Sequence, residues 1–138
     1  MPDPRGRILV VDDSTINRKL AVAFLKREGW DTDEAEDGKV ALDKLAGEHG
    51  YRALLLDISM PGLSGEEVCV ALRADPRHAT LPIVAYTAHA MDGELQRILS
   101  AGFDDILVKP ITLASLRASL AKVLGESDRA DTGPARGV

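Results

Sequence analysis

Four short apolar runs constrain what this chain can fold into: Ile8–Val11, Ala53–Leu56, Pro82–Tyr86 and Ile106–Val108. Each is continuous rather than alternating. A strand of that kind has no face to offer to water, so it belongs in a parallel sheet covered on both sides. A fifth run, Trp30–Ala35, interleaves Asp31 and Asp33 and suits a sheet edge, with Trp30 anchoring its start. Between the runs, apolar residues recur at helical spacing. Ile16, Leu20, Ala23 and Phe24 mark a first helix, capped by Ser14 and closed by Gly29. Val40, Leu42 and Leu45 mark a second, and Val68 and Leu72 a third that stops at Asp75-Pro76. Met91, Leu95, Ile98 and Leu99 mark a fourth, closed by Gly102, and Leu113, Leu116, Leu120, Val123 and Leu124 a fifth. Strands alternating with helices predict an α/β domain with right-handed crossovers. The common open order for five such units is 2-1-3-4-5, which leaves the polar second strand at an edge.

Composition narrows the classes further. The 138 residues suit one domain, read here as residues 5–125, followed by a polar tail over 126–138 that is expected to be disordered. There are 17 Lys and Arg against 22 Asp and Glu, a net charge of −5, which argues against a nucleic-acid binder held by a basic face. No stretch approaches the roughly 18 consecutive apolar residues of a membrane span. The opening MPDPRGR lacks the apolar core of a signal peptide, so a cytoplasmic location without membrane contact is expected. Cys69, the single cysteine, allows no internal disulfide and no cysteine-rich zinc site, and its setting on the third helix predicts a buried or half-buried thiol.

The residues that follow the runs carry the chemistry. Ile8–Val11 is followed by Asp12-Asp13, Ala53–Leu56 by Asp57, Pro82–Tyr86 by Thr87 and Ile106–Val108 by Lys109-Pro110. In an open α/β sheet, ligands bind outside the carboxyl ends of the strands, where the strand order reverses. A single polar residue there is usually a helix cap. Three carboxylates, a hydroxyl and an ammonium at adjacent strand ends are better read as a site. Clustered carboxylates repel one another and need a cation. Oxygen-only ligands select Mg²⁺ or Mn²⁺ over zinc. A hard cation beside Lys109 and Thr87 suits a phosphoryl group, and Asp57 is the candidate nucleophile because its strand is central. Neither a phosphate-cradling glycine loop nor a dinucleotide fingerprint is present, so the donor is expected to be a small phosphate compound or another protein.

At these residues the chain resembles the receiver domain of two-component response regulators. The motifs are ILVVDDS (Ile8–Ser14), LLLDISMPGLSG (Leu54–Gly65), IVAYTAHA (Ile83–Ala90) and ILVKPI (Ile106–Ile111). The resemblance covers about Arg7 to Leu124 and implies a flavodoxin-like (βα)5 three-layer sandwich. It implies that Asp57 accepts a phosphoryl group from a histidine kinase or a histidine phosphotransfer protein. It also implies that Asp12 and Asp13 bind Mg²⁺, one directly and one through water, with help from Asp57 and the Ser59 carbonyl. Thr87 and Lys109 would contact the phosphoryl oxygens, and the Lys109-Pro110 bond would be cis. Such a protein catalyses only its own phosphorylation and dephosphorylation. Because the chain ends soon after the fifth helix, a stand-alone receiver is expected. It would signal by changed partner binding or by onward relay, with a leaning toward relay from the TAHAM segment.

Other positions refine that expectation. Many receivers carry an aromatic ring three residues before the lysine, where this chain has Ile106, so the switching route is open. Ser59 and His89, each two residues past a key side chain, are candidates to tune the lifetime of the acyl phosphate, unless His89 is an idle loop histidine. Met60 is expected to plug the core, Pro61-Gly62 to turn, Gly65 to begin a helix and Ala88 to leave the site open. His49 and His78 sit in polar loops without metal-ligand spacing. The fourth helix, fifth strand and fifth helix are the family's usual output face, where Leu95, Ile98 and Ile106 would add apolar area for an output protein or a homodimer. Three rival readings fit the residues less well. An aspartyl-phosphate phosphohydrolase needs an acid two residues past the nucleophile, where Ser59 stands. A flavodoxin-like cofactor carrier needs a phosphate loop that Asp12-Asp13 would repel. A phosphorylation-independent binding module has no use for the intact acidic set.

Overall fold

The structure, a computed structural model, describes residues 6–46, 50–88 and 92–125. Strands and helices alternate through β1 (Arg7–Val11), α1 (Thr15–Arg27), β2 (Asp31–Ala35), α2 (Gly38–Leu45) and β3 (Tyr51–Asp57). They continue through α3 (Gly65–Arg73), a 3-10 turn (Pro76–His78), β4 (Ile83–Thr87), α4 (Asp92–Ser100), β5 (Asp105–Val108) and α5 (Leu113–Leu124). The sheet is parallel in the order β2-β1-β3-β4-β5, as expected.

The continuous apolar runs are explained by two cores, one on each face of the sheet. Leu9, Val11, Leu54, Leu56, Ile83 and Ala85 pack against Ala41 and Leu45 of α2, Val68, Cys69 and Leu72 of α3, and Ile98 of α4. The alternate residues Ile8, Val10, Ala53, Leu55, Val84, Tyr86 and Leu107 pack against Ala21, Val22 and Leu25 of α1 and Leu116 and Leu120 of α5. Every second side chain of a strand serves one face, so a run buried on both sides has no polar parity left. The flavodoxin-like three-layer arrangement follows. Cys69 and Met60 are buried, as expected of them, and Trp30 is buried just before β2. Burial also pushes the Cys69 thiol up to about 11.

Three expectations need correction. The face that α1 turns to the sheet is not the one marked by Ile16 and Leu20, which are 80% and 37% exposed. The buried stripe is Ala21, Val22 and Leu25, and Arg18 completes it at helical spacing. The Arg18 guanidinium donates to the Asp12 carbonyl at 2.8 Å and to Glu34 at 2.9 Å, so a charged residue holds an inward position and sets the rotation of the helix. Second, Ile98 is 1% exposed and belongs to the core, leaving Leu99 and Val108 as the exposed apolar residues of α4 and β5. The inward face of α4 closes over Phe103 and Ala101, which claims Ile98 for the interior. Third, His78 is buried at the end of the 3-10 turn rather than set in an open loop, with Nδ1 3.6 Å from Asp75. His49, His89, Met91 and the tail from Glu126 lie outside the described residues.

Candidate functional site

Strand parity carries the site. On the α1/α5 face the sequence of side chains runs Ile8, Val10, then Asp12; Ala53, Leu55, then Asp57; Val84, then Tyr86; and Leu107, then Lys109. Where the helices cease to cover the sheet, the apolar parity turns ionic. The parallel ladder runs on past the strands, through Asp12 N–H to the Ala35 carbonyl (3.1 Å), Ile58 N–H to the Tyr86 carbonyl (3.1 Å) and Lys109 N–H to the Thr87 carbonyl (2.8 Å). The site residues are therefore held in register by backbone rather than carried on free loops.

Carboxylate oxygens of Asp12, Asp13 and Asp57 lie within 4.8 Å of one another. Asp12 and Asp57 are buried and Asp13 faces solvent. The Lys109 ammonium lies 3.1 Å from Asp57 Oδ1 and 3.6 Å from Asp12 Oδ2. Ser59 N–H donates to Asp57 Oδ1 at 3.2 Å, and Ser14 N–H to Asp12 Oδ1 at 2.9 Å, while Ser14 Oγ caps α1. Burial and the neighbouring Asp12 carboxylate push Asp57 up to about 7, against the downward pull of Lys109. One ammonium does not neutralise three carboxylates, so the site as it stands favours a proton or a cation. The all-oxygen donor set fits a hard divalent ion and offers no soft ligand. Thr87 is buried at the end of β4, and Ala88 beside it is exposed, which leaves an approach for a partner. The Lys109-Pro110 peptide is cis.

The loop after Asp57 is shaped by two glycines. Gly62 adopts φ +77°, a conformation that side chains disfavour. Gly65 opens α3 so close to β3 that a Cβ there would stand 2.2 Å from the Asp57 carbonyl oxygen. The capping box of Ser64 and Glu67 then starts the helix.

The sequence profile of the response regulator receiver domain matches residues 8–121. The chain belongs to that family. Receiver domains are the phosphoryl-accepting switches of two-component signalling rather than enzymes acting on a separate substrate. This receiver is 40% identical over 111 residues to hybrid signal transduction histidine kinase I of Dictyostelium discoideum, a match covering 76% of the chain and 6% of that much longer protein. It is 33% identical over 120 residues to the polar-differentiation response regulator DivK of Brucella anthropi, covering 87% of the chain and 97% of DivK. In structure it matches the receiver domain of a sensor histidine kinase of Pseudomonas aeruginosa PAO1, with a TM-score of 0.80 and 31% identity, covering 88% of this chain and 98% of that one. That neighbour has a magnesium ion coordinated in its active-site cleft.

The receiver brings together Asp12, Asp13, Asp57, Ser59 and Lys109, with Thr87 at the adjoining strand end. His89 falls outside the described residues, and Ile106 is half-buried and packed against the core near Ala85. Sequence reasoning missed two residues. Tyr86 donates its hydroxyl to Asp12 Oδ2 at 2.7 Å, and Arg18 holds the Asp12 carbonyl. Strand parity would have found Tyr86, and a basic residue in an apolar helical register would have found Arg18. No helix among the described residues is long and apolar enough to cross a membrane.

Proposed function

We propose that Asp57 accepts a phosphoryl group from the phosphohistidine of a sensor histidine kinase or a histidine phosphotransfer protein. The observation that carries the reading is the Lys109 ammonium 3.1 Å from an Asp57 oxygen, inside a cluster whose carboxylate oxygens all lie within 4.8 Å. An Asp57 oxygen attacks phosphorus, a P–O bond forms, and the P–N bond breaks with its electron pair leaving on the imidazole nitrogen, which takes up a proton. Lys109 follows the charge that builds on the phosphoryl oxygens, and the Thr87 hydroxyl donates to one of them. Ser59 N–H keeps Asp57 turned toward the cleft. Asp12, Asp13 and Asp57, with the Ser59 carbonyl, would hold Mg²⁺ or Mn²⁺, which would neutralise the attacking carboxylate and the transferring group.

The product would be read by changed partner binding or passed onward to a histidine phosphotransfer protein. Relay is the output we favour, because a hybrid histidine kinase is among the relatives. An output protein or a second copy would dock on α4, β5 and α5, where Leu99 and Val108 are exposed. Incubation with Mg²⁺ and acetyl phosphate, followed by intact mass, tests the central step. One added phosphoryl group, absent in Asp57→Asn, is expected. No addition, or addition that survives in Asp57→Asn, overturns it.

A further inference from the structure

Strand β4 ends beside the acidic site with Tyr86 and Thr87, whose side chains alternate between opposite faces of the sheet. Tyr86 shares its face with Asp12, Asp57 and Lys109. Its hydroxyl donates to Asp12 Oδ2 at 2.7 Å, and the two residues are 1% and 0% exposed. The Lys109 ammonium lies 4.9 Å from the centre of the Tyr86 ring and 3.6 Å from the same Asp12 oxygen. Ser14 N–H holds the other Asp12 oxygen at 2.9 Å. The carboxylate is thus fixed at both ends, by a backbone amide at Oδ1 and by a phenol at Oδ2. The ring lies in an otherwise apolar core, with Val10, Leu55, Val84 and Leu107 on the same face of the sheet, so an apolar residue would satisfy packing alone. A buried phenol needs a partner, and here that partner is one of three carboxylates that repel each other.

We propose that Tyr86 is a positioning residue of the cation site: its hydroxyl holds the Asp12 carboxylate facing Asp13 and Asp57, and its ring seats Lys109. This inference rests on reading the acidic cluster as a divalent-cation site. Free to rotate, the Asp12 carboxylate would turn from its like-charged neighbours, and each binding event would have to order it. Held by Tyr86, it is ordered in advance. Loss of the outer hydrogen bond to a metal-ligating group typically weakens metal binding by about 10- to 100-fold. If Tyr86 merely fills the core and donates to the nearest acceptor, its hydroxyl is dispensable to the cation.

Tyr86→Phe keeps the ring and removes the hydroxyl, and Tyr86→Leu removes both. Calorimetric titration of the unphosphorylated full chain with Mg²⁺ alone should show Kd raised about tenfold in Tyr86→Phe and further in Tyr86→Leu. Phosphorylation of Tyr86→Phe by acetyl phosphate should slow at low Mg²⁺ and recover to within about twofold of wild type at saturating Mg²⁺, as expected of lost cation affinity. A readout without substitution at this position uses the two tyrosines of the chain. With ring-labelled tyrosine, the Tyr86 Cζ resonance should move on Mg²⁺ addition with the calorimetric midpoint. Tyr51, at the far end of β3, should not move, and Tyr51→Phe supplies the assignment. Wild-type affinity in a folded Tyr86→Phe, a rate not restored by saturating Mg²⁺, or a Tyr86 resonance indifferent to Mg²⁺ would each overturn the proposal. Wild type that binds no Mg²⁺ overturns the cation-site reading and the inference with it, an outcome distinct from the other three.

Discussion

Lys109 Nζ reaches Asp57 Oδ1 at 3.1 Å across the end of β4, joining two strands that are not neighbours in the sheet. The pair is nearly dry, with the side chains 19% and 2% exposed, and Asp12 Oδ2 lies 3.6 Å from the same ammonium. A half-buried cation so placed meets the charge that develops during transfer. Lys109→Ala should slow phosphorylation by acetyl phosphate by roughly 100-fold or more, the usual effect of removing one preorganised charge partner. Intact-mass time courses at saturating Mg²⁺ check this. A rate within a few-fold of wild type would assign Lys109 a structural role only.

The raised Asp57 pKa makes stability depend on pH in a defined direction. Its value in the fold is about 7, above the ordinary carboxylate value near 4. The neutral form is the one the fold prefers, so this contribution is complete below about pH 4 and is lost as pH rises through about 7. In chelator, wild type should lose stability relative to Asp57→Asn between about pH 4 and 7, the window set by that shift. Mg²⁺ affinity should run the other way and weaken below about pH 7, because the proton must leave before the metal binds. Melting curves of both proteins across this range, with and without Mg²⁺, provide the check. A gap that does not change with pH would contradict it.

Gly65 is a steric requirement of the acceptor strand. A Cβ there would lie 2.2 Å from the Asp57 carbonyl oxygen and 2.9 Å from Ile58 Cα, so backbone must move. Alanine gains at most about 1 kcal/mol in helix propensity. Overpacking against backbone costs about 1–3 kcal/mol, so the clash prevails. Gly65→Ala should be destabilised by about 2 kcal/mol in urea denaturation. It should also phosphorylate more slowly, because the displaced atoms belong to Asp57 itself.

Arg73 ties together the opposite end of the sheet. Its guanidinium donates to the carbonyls of Gly102 (2.9 Å), His78 (2.9 Å) and Leu81 (2.8 Å), and pairs with Asp104 (2.9 Å). Asp104 in turn accepts the Ile83 N–H at 2.8 Å. Arg73→Ala should cost about 3 kcal/mol, since several carbonyls lose a charged donor together. Lysine should recover only part of this, because an ammonium cannot reproduce the planar fork. Phosphorylation kinetics of the folded fraction should be unchanged, and chemical denaturation beside mass spectrometry separates the two effects.

Much of the molecule was legible in advance, and the residues show why. The runs at Ile8–Val11 and Ala53–Leu56 leave no polar parity, so they had to lie in a sheet covered on both faces. The polar Asp31 and Asp33 sent β2 to the edge. Ser14, Gly29 and Gly65 marked helix ends through backbone chemistry confined to a few positions. The rotation of α1 was misread because Ile16 and Leu20 match a helical period as well as Val22 and Leu25 do. Which stripe turns inward is settled by Arg18 reaching Asp12 and Glu34, which a local pattern cannot register.

An alternating α/β chain with a carboxylate-rich set of strand ends follows from residues close together along the chain, because periodicity, capping and strand termination depend on such neighbours. The convergence of Asp12, Asp57, Tyr86 and Lys109 on one face, the interior place of Ile98 and the grip of a phenol on Asp12 arise from packing between distant segments. Those relations join strands far apart in sequence. Their register is set by the parallel ladder and by the two cores, where burial, repulsion and hydrogen bonding act through space.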